Sequence, residues 1–394
     1  MAKKFILDPN GKPYKDSVTG LPLVVDVPEG SNGDPIIATT GVEIEALMTA
    51  ENVGKVVKYE GEDGAYLNGE IYKVMDNEDA DNTQYYTYEN KLPLLLGTQD
   101  ATNKPYEITA EDLEGVTAIA NYQFYRKDGL IKIDLSNVTG GIGGYAFNRC
   151  SNLADINMQN VAGSIGTYAF EMCDKLVEIN APNAKSIDSY AFTNCDKLLS
   201  ADIQNATTIG SNAFYNSRAL QEVNIQNATT IGSRAFTNCT ALTTLNMQKV
   251  EKIEQSAFSY CSKLPSVIIP ATCTSIGGSA FSNCSSLESV VIQDNCTSIG
   301  SSAFSGCDAL ESVIIPATCT SIGGSAFSKS YNGGGVYPAK CTYTFLGTTP
   351  PTISTNTFTA SYINKIIVPK GCGETYKTAT NWTTFADYIV EAEE

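Results

Sequence analysis

The sequence of 394 residues contains no histidine. That absence removes the commonest general base and the commonest metal ligand. Triads of the Ser-His-Asp type and His-containing zinc sites are therefore excluded within this chain. Positive charge is also scarce: Lys plus Arg total 26 against 43 Asp plus Glu, a formal net charge of −17. An acidic surface repels phosphate backbones and anionic headgroups. Nucleic acid is therefore not an expected partner. No window approaches the ~18 apolar residues of a membrane helix, so no membrane insertion is expected. After Lys3-Lys4 only Phe5-Ile6-Leu7 precede Asp8-Pro9, well short of the ~7–15 apolar residues of a signal peptide. The expectation is synthesis in the cytosol without general secretory export. There is no C-x-x-C and no G-x-x-x-x-G-K-[ST] phosphate loop. No nucleophile–base pair stands out, so no catalytic residue, metal or cofactor is assigned.

What the sequence does contain is a repeat. Ala-Phe recurs at Phe147, Phe170, Phe192, Phe214, Phe236, Phe258, Phe281, Phe304 and Phe327, with a degenerate copy, Gln123-Phe124, before them. The spacings are 22 or 23 residues throughout. Five residues before each Phe stands an Ile, from Ile119 and Ile142 to Ile299 and Ile322. The unit reads I-G-x-x-A-F-x-x-C-x-x-L-x-x-[VI]-x-[IM]. Gly after Ile suits a tight turn, and Ala-Phe suits a short helical or 3-10-like turn with Phe inward. Leu and the two apolar residues after it, such as Leu287, Val290 and Ile292, alternate as in a strand. One coil cannot bury its own apolar face, so coils stack into a continuous core and a parallel sheet. The expected fold is a repeat solenoid of the leucine-rich-repeat type, about ten coils long, preceded by a small, mainly β N-terminal region.

Motifs such as Ile299-Gly300-Ser301-Ser302-Ala303-Phe304-Ser305-Gly306-Cys307-Asp308-Ala309-Leu310 resemble the BspA-like leucine-rich repeat family over roughly residues 107–394. The stretch 108–117 looks like that family's array start. Phe345 to Pro351, Phe358, Ile366 to Pro369 and Tyr376 to Trp382 resemble its terminal coil. The resemblance implies binding and adhesion without catalysis, and it carries over no functional residue. With residues 1–106 outside the resemblance, the expected division is an extended attachment segment (1–50), a small β module and linker (51–106), the solenoid (107–345) and a capping coil (346–394).

Twelve cysteines raise the question of disulfides or metal. Their spacing answers it differently. Cys150, Cys173, Cys195, Cys239, Cys261, Cys284 and Cys307 each follow the motif Phe by three residues, with Ser217 and Ser330 in the same place elsewhere. Cys273, Cys296 and Cys319 form a second column. Columns at the coil period are equivalent small buried positions, where free Cys acts as a small apolar residue. Parallel Cβ vectors give poor bridging geometry, so the expectation is a reduced ladder.

Alternation along each strand also identifies an outward column. It begins with Asp134, Asn157, Asn180, Asp202, Asn224 and Asn246, and then turns apolar at Ile268, Val291 and Ile314. A parallel column holds Gln159, Gln204, Gln226, Gln248 and Gln293, with Pro182, Pro270 and Pro316 among them. The amides either bond one another along the column or offer Asn157, Asn180, Asp202, Asn224 and Asn246 to a glycan or protein. The apolar strip is either ordinary β-propensity or a protein contact.

Residues 1–106 carry no repeat. Residues 8–40 are rich in Gly, Pro, Asp and Asn and read as irregular. A short helix is possible over 40–50. Val53–Tyr59 and Glu70–Val74 flank a Gly61–Gly64 turn and read as a hairpin. Asp76, Glu78, Asp79 and Asp81 form an acidic loop, solvated or Ca²⁺-binding. Gly54 to Val74 resembles modules near the start of bacteriophage tail and fibre proteins. The leading expectation is thus a phage tail- or head-fibre protein on the virion surface. It would dock by its N-terminus to other virion proteins and contact a host surface protein or glycan by its solenoid. Homo-oligomerisation, trimeric by analogy with fibres, goes with that reading. The alternative is a bacterial surface adhesin or interaction protein.

Overall fold

The computed structural model describes residues 105–329 and 337–393, together with six short strands before them. The chain divides into two compact units, 1–116 and 117–394.

In the first unit Ala2–Phe5 pairs antiparallel with Val24–Val27. Ile36–Ala38 lies parallel to Val56–Tyr59, which pairs antiparallel with Ile71–Lys73. The expected hairpin is therefore present. The stretch expected to be irregular contains two of these strands: sparse apolar runs, Val24-Val25 and Ile36-Ile37, still pair between the Gly- and Pro-rich segments. The expected helix over 40–50 and the acidic loop lie outside the described residues. At the end of this unit Thr109 and Asp112 cap a turn reciprocally. The Thr109 amide donates to Asp112 Oδ2 at 2.8 Å and the Asp112 amide donates back to Thr109 Oγ1 at 3.4 Å.

The second unit is a parallel β-solenoid. Each coil contributes one longer strand and a chain of turns, and the eight coils of the regular repeat add a two-residue strand. The longer strands, from Leu130–Asp134 to Ile389–Glu391, number twelve and pair in runs of two, four and six. The two-residue strands form a parallel ladder of eight, Ser164–Ile165 to Ser321–Ile322, extended by single bridges back through Ile142 to Ile119. At a strand spacing of ~4.8 Å, twelve coils span roughly 55 Å.

The core follows from the repeat. Phe124 through Phe327 are buried and stack ring on ring, with centroids 4.9 to 5.3 Å apart. Each buried ring contributes about 2–3 kcal/mol of burial. The motif Ile, Ala and Leu are buried beside them.

The Ala-Phe segment is not a helical turn, which corrects the expectation. Two residues per coil, two before and two after Phe, hold left-handed backbone: Tyr145 at φ 58° and Arg149 at φ 61° in one coil. A helix cannot pass through such residues. Amides instead alternate in direction. Tyr145, Phe147 and Arg149 donate to the next coil, and Ala146, Asn148 and Cys150 donate back within their own. Every second amide therefore ties one coil to the next. The glycine after the motif Ile also has another role than expected. Its φ is ordinary, but a Cβ on Gly166 would stand 2.6 Å from the Gly144 nitrogen of the preceding coil. The residue permits close approach of two backbones.

The C-terminal coils close the core with larger rings. Trp382, Tyr376 and Phe385 are buried. Trp382 Nε1 donates to the Pro351 carbonyl at 2.9 Å, and the Tyr376 hydroxyl to the Gly347 carbonyl at 2.8 Å. A six-residue helix, Gly373–Thr378, and the 3-10 turn Thr383–Tyr388 carry them. Lys329 is buried at the same end, and its ammonium donates to the carbonyls of Leu310 at 2.6 Å and Ala339 at 2.7 Å.

Candidate binding surfaces

The outward strand column stands where alternation places it. Asn180 is exposed; Asn157, Asp202, Asn224 and Asn246 are half-buried. Strand register puts Asn180, Asp202, Asn224 and Asn246 side by side on successive coils. They do not form one continuous amide ladder. Asn157 Nδ2 donates to Asp134 Oδ1 at 2.9 Å, and Asn224 Nδ2 to Asp202 Oδ1 at 3.0 Å. Each bond ends on an Asp, which accepts but cannot donate onward. Among the described residues no side-chain bond joins Asn157 to Asn180 or Asn224 to Asn246, where Asn224 Oδ1 is buried without a partner. In the neighbouring column Gln226 Nε2 donates to Gln204 Oε1 at 3.1 Å, whereas Pro270 and Pro316 are buried.

The apolar strip is present and longer than the repeat suggests. Ile268 is 61% and Ile314 37% exposed, with Val291 half-buried between them. Register continues the column through Thr344 and Ile367 to Val390. Val390 is exposed, and Leu346 stands exposed nearby in sequence. The extension was hidden because the last coils abandon the 23-residue period.

The first Cys column is buried, as its period implies, but the thiols are more than small apolar groups. Each Sγ donates to the carbonyl of a Phe one coil back, as Cys173 does to Phe147 at 3.1 Å and Cys239 to Phe214 at 3.2 Å. Ser217 makes the same bond to Phe192 at 2.8 Å. In the second column burial pushes the thiols up, to about 12 at Cys296 and about 11 at Cys319. All twelve cysteines are free thiols, and only Cys372 is not buried. Buried, protonated thiols are poor nucleophiles and poor metal ligands.

One surface escaped the sequence reading. The left-handed residue before Ala-Phe is Tyr122, Tyr145, Tyr168 and Tyr190 in the first four coils. Their rings stack with centroids 4.8, 4.9 and 4.6 Å apart and planes within 4° to 21° of parallel. Tyr125 meets Tyr122 edge-on. Burial, and after it the proximity of Tyr122 and Glu171, raises the Tyr145 hydroxyl above its ordinary value. The signal lay in the column two residues before Phe, where Tyr gives way to Asn212, Arg234 and then Ser. Further round the same turns, Asn238 bonds Asn216 at 2.8 Å and Asn216 bonds Asn194 at 3.1 Å. Beside them lies a hollow of about 340 Å³ lined by Met172, Asp174, Asn194, Asp196, Asn216 and Arg218. Among the described residues no group of three or more His, Cys, Asp or Glu is placed to hold a metal ion.

The family description "BspA type leucine rich repeat region" matches residues 117–243 and 207–333, in six copies. That covers more than half of the chain. The chain belongs to the BspA-type leucine-rich repeat family. Similar solved structures include a leucine-rich repeat protein from Bacteroides ovatus, 22% identical, covering 71% of this chain and 88% of its own, with a TM-score of 0.40. A leucine rich cell surface protein from Faecalibacterium prausnitzii is 23% identical over 66% of this chain and 91% of its own, TM-score 0.33. The Treponema pallidum leucine rich repeat protein is 25% identical over 38% of this chain and 72% of its own, TM-score 0.34. No functionally curated protein matches the sequence.

Membership of the BspA-type family accounts for the repeat. The phage-like stretch, Gly54 to Val74, falls mostly outside the described residues, and its hairpin strands are too common a feature to carry the resemblance. The virion reading finds no support in the family match; the bacterial alternative fits it better. Among the described residues no helix is long and apolar enough to cross a membrane.

Proposed function

We propose that this BspA-type solenoid is a non-enzymatic interaction protein of a bacterial cell surface, and that it associates through its outward strand face. The observation that supports this is the apolar strip of Ile268, Val291 and Ile314, continued by Ile367 and Val390. A sheet face with one apolar residue per coil, interrupted at Thr344, is most simply covered by another sheet face, packed about 10 Å away. The occupant proposed is a second copy of this chain, whose strip has the same axial repeat. The amide-rich part of the face stays hydrated beside the contact.

Val291→Asp places a charge in the middle of the strip. The expected result is dissociation of the wild-type oligomer into monomers in light scattering, with the melting temperature little changed. A monomeric wild type, or a variant that assembles as the wild type does, would refute the contact. Surface placement is checked separately. Protease treatment of intact cells should remove the protein, and protection from it would argue against display.

A further inference from the structure

The tyrosine row is unlike the rest of its column. Every coil from Tyr122 to Ser325 holds this residue at φ between 56° and 61°. The fold imposes the conformation, and Asn or Gly tolerates it at least cost. Four successive coils nevertheless carry Tyr. Burial does not explain the choice, since Tyr122 is 55% exposed and the other three are half-buried. The hydroxyls of Tyr122, Tyr145, Tyr168 and Tyr190 make no hydrogen bond among the described residues. Stacking contributes about 0.5–1.5 kcal/mol per pair, and it also fixes the rings before any ligand arrives, which lowers the cost of binding.

The stack determines what a ligand meets. Inside the row the ring faces cover one another along the axis, so a cation finds at most the end face of Tyr190, beside Asn212. Solvent sees a straight row of ring edges and phenolic hydroxyls, each both donor and acceptor, at intervals of 4.6 to 4.9 Å. The net charge of −17, with Glu171 beside the row, disfavours a polyanion. An extended peptide repeats its side chains on one face about every 6.8 Å and falls out of step. A neutral, extended, β-linked glycan advances by close to one coil per sugar and presents hydroxyls along its edges. We infer that Tyr122, Tyr145, Tyr168 and Tyr190 form a binding site for about four residues of a neutral β-linked polysaccharide laid along the solenoid axis. The site rests on the interaction-protein reading but not on the apolar strip.

The test is native affinity electrophoresis of the full chain in gels containing hydroxyethylcellulose or mixed-linkage β-glucan, with chondroitin sulfate as the anionic comparison. Wild type should be retarded by at least one neutral glucan and not by chondroitin sulfate. Tyr145→Ser with Tyr168→Ser should weaken retardation at least tenfold. Ser256 and Ser279 already occupy this column at the same φ, so the fold tolerates the change. Tyr145→Phe with Tyr168→Phe keeps the stack and removes two hydroxyls, and should weaken it several-fold. Three results would overturn the site: no retardation by either glucan, retardation unchanged in both double variants, or a change of oligomeric state in the serine variant without glucan binding, which would assign the row to a second copy. Val291→Asp should leave glucan retardation intact, which separates this site from the proposed dimer face.

Discussion

Ser217 stands where seven other coils carry cysteine, and its hydroxyl makes the same bond to a Phe carbonyl that their thiols make. The position therefore requires a small donor, not only a small side chain. Most of these Phe carbonyls also accept a backbone amide, as Phe214 does from Ser217 at 3.1 Å. The Phe192 carbonyl accepts only the Ser217 hydroxyl among the described residues, so removing that donor leaves a buried carbonyl without a partner, at a cost of roughly 1–3 kcal/mol. Ser217→Ala should lower the melting temperature measurably, whereas Cys239→Ser, which keeps a donor, should come close to wild type. Equal losses in circular dichroism melts would mean that size alone matters. The column itself was legible from its period. Its bond was not, because Cys and Ser at one position are equally consistent with mere smallness until the carbonyl opposite is seen.

Turns are the element that pattern reading misjudged. Ala-Phe with inward apolar residues suggests helix, yet the left-handed residues on both sides of it forbid one. A clue was present in the position two after Phe, which holds Asn194, Asn216, Asn238, Asn283 and Gly306, the residues that tolerate positive φ best. Met172 holds the same conformation at φ 58° with an unbranched apolar side chain. Met172→Asn should stabilise the solenoid by up to about 1 kcal/mol, the scale of the left-handed penalty, and can extend the amide ladder that begins at Asn194. A lower melting temperature for this variant would show that packing of the Met side chain outweighs backbone strain. The outward strip was legible for three coils and hidden for the rest. Ile367 and Val390 join it only through strand register, which period counting cannot supply once the period is lost.

At the scale of the whole solenoid, the repeat was readable because one coil recurs so regularly that each of its residues labels a column. Residues 1–116 offered no such internal comparison, and only the hairpin emerged from them. The same stacking that made columns legible couples their chemistry. Buried thiols recur along the core, and burial raises them from an ordinary value near 9 to about 11 at Cys319 and about 12 at Cys296 and Cys341. In the unfolded chain they ionise from about pH 9, while in the folded chain they stay protonated. Below pH 9 both states hold the protons, and this contribution to stability is fully present. Above it the folded state binds more protons than the unfolded one, so stability falls with rising pH until the folded thiols ionise as well. Each such thiol contributes on the order of 1.4 kcal/mol per pH unit. Melting temperature should therefore be flat from pH 7 to 8.5 and fall steeply between pH 9 and 11. Cys296→Ser, which deletes one of these groups, should make the fall shallower while keeping a donor in place. A melting temperature unchanged to pH 11, or a slope identical in the variant, would show that the thiol columns do not set the alkaline limit of the solenoid.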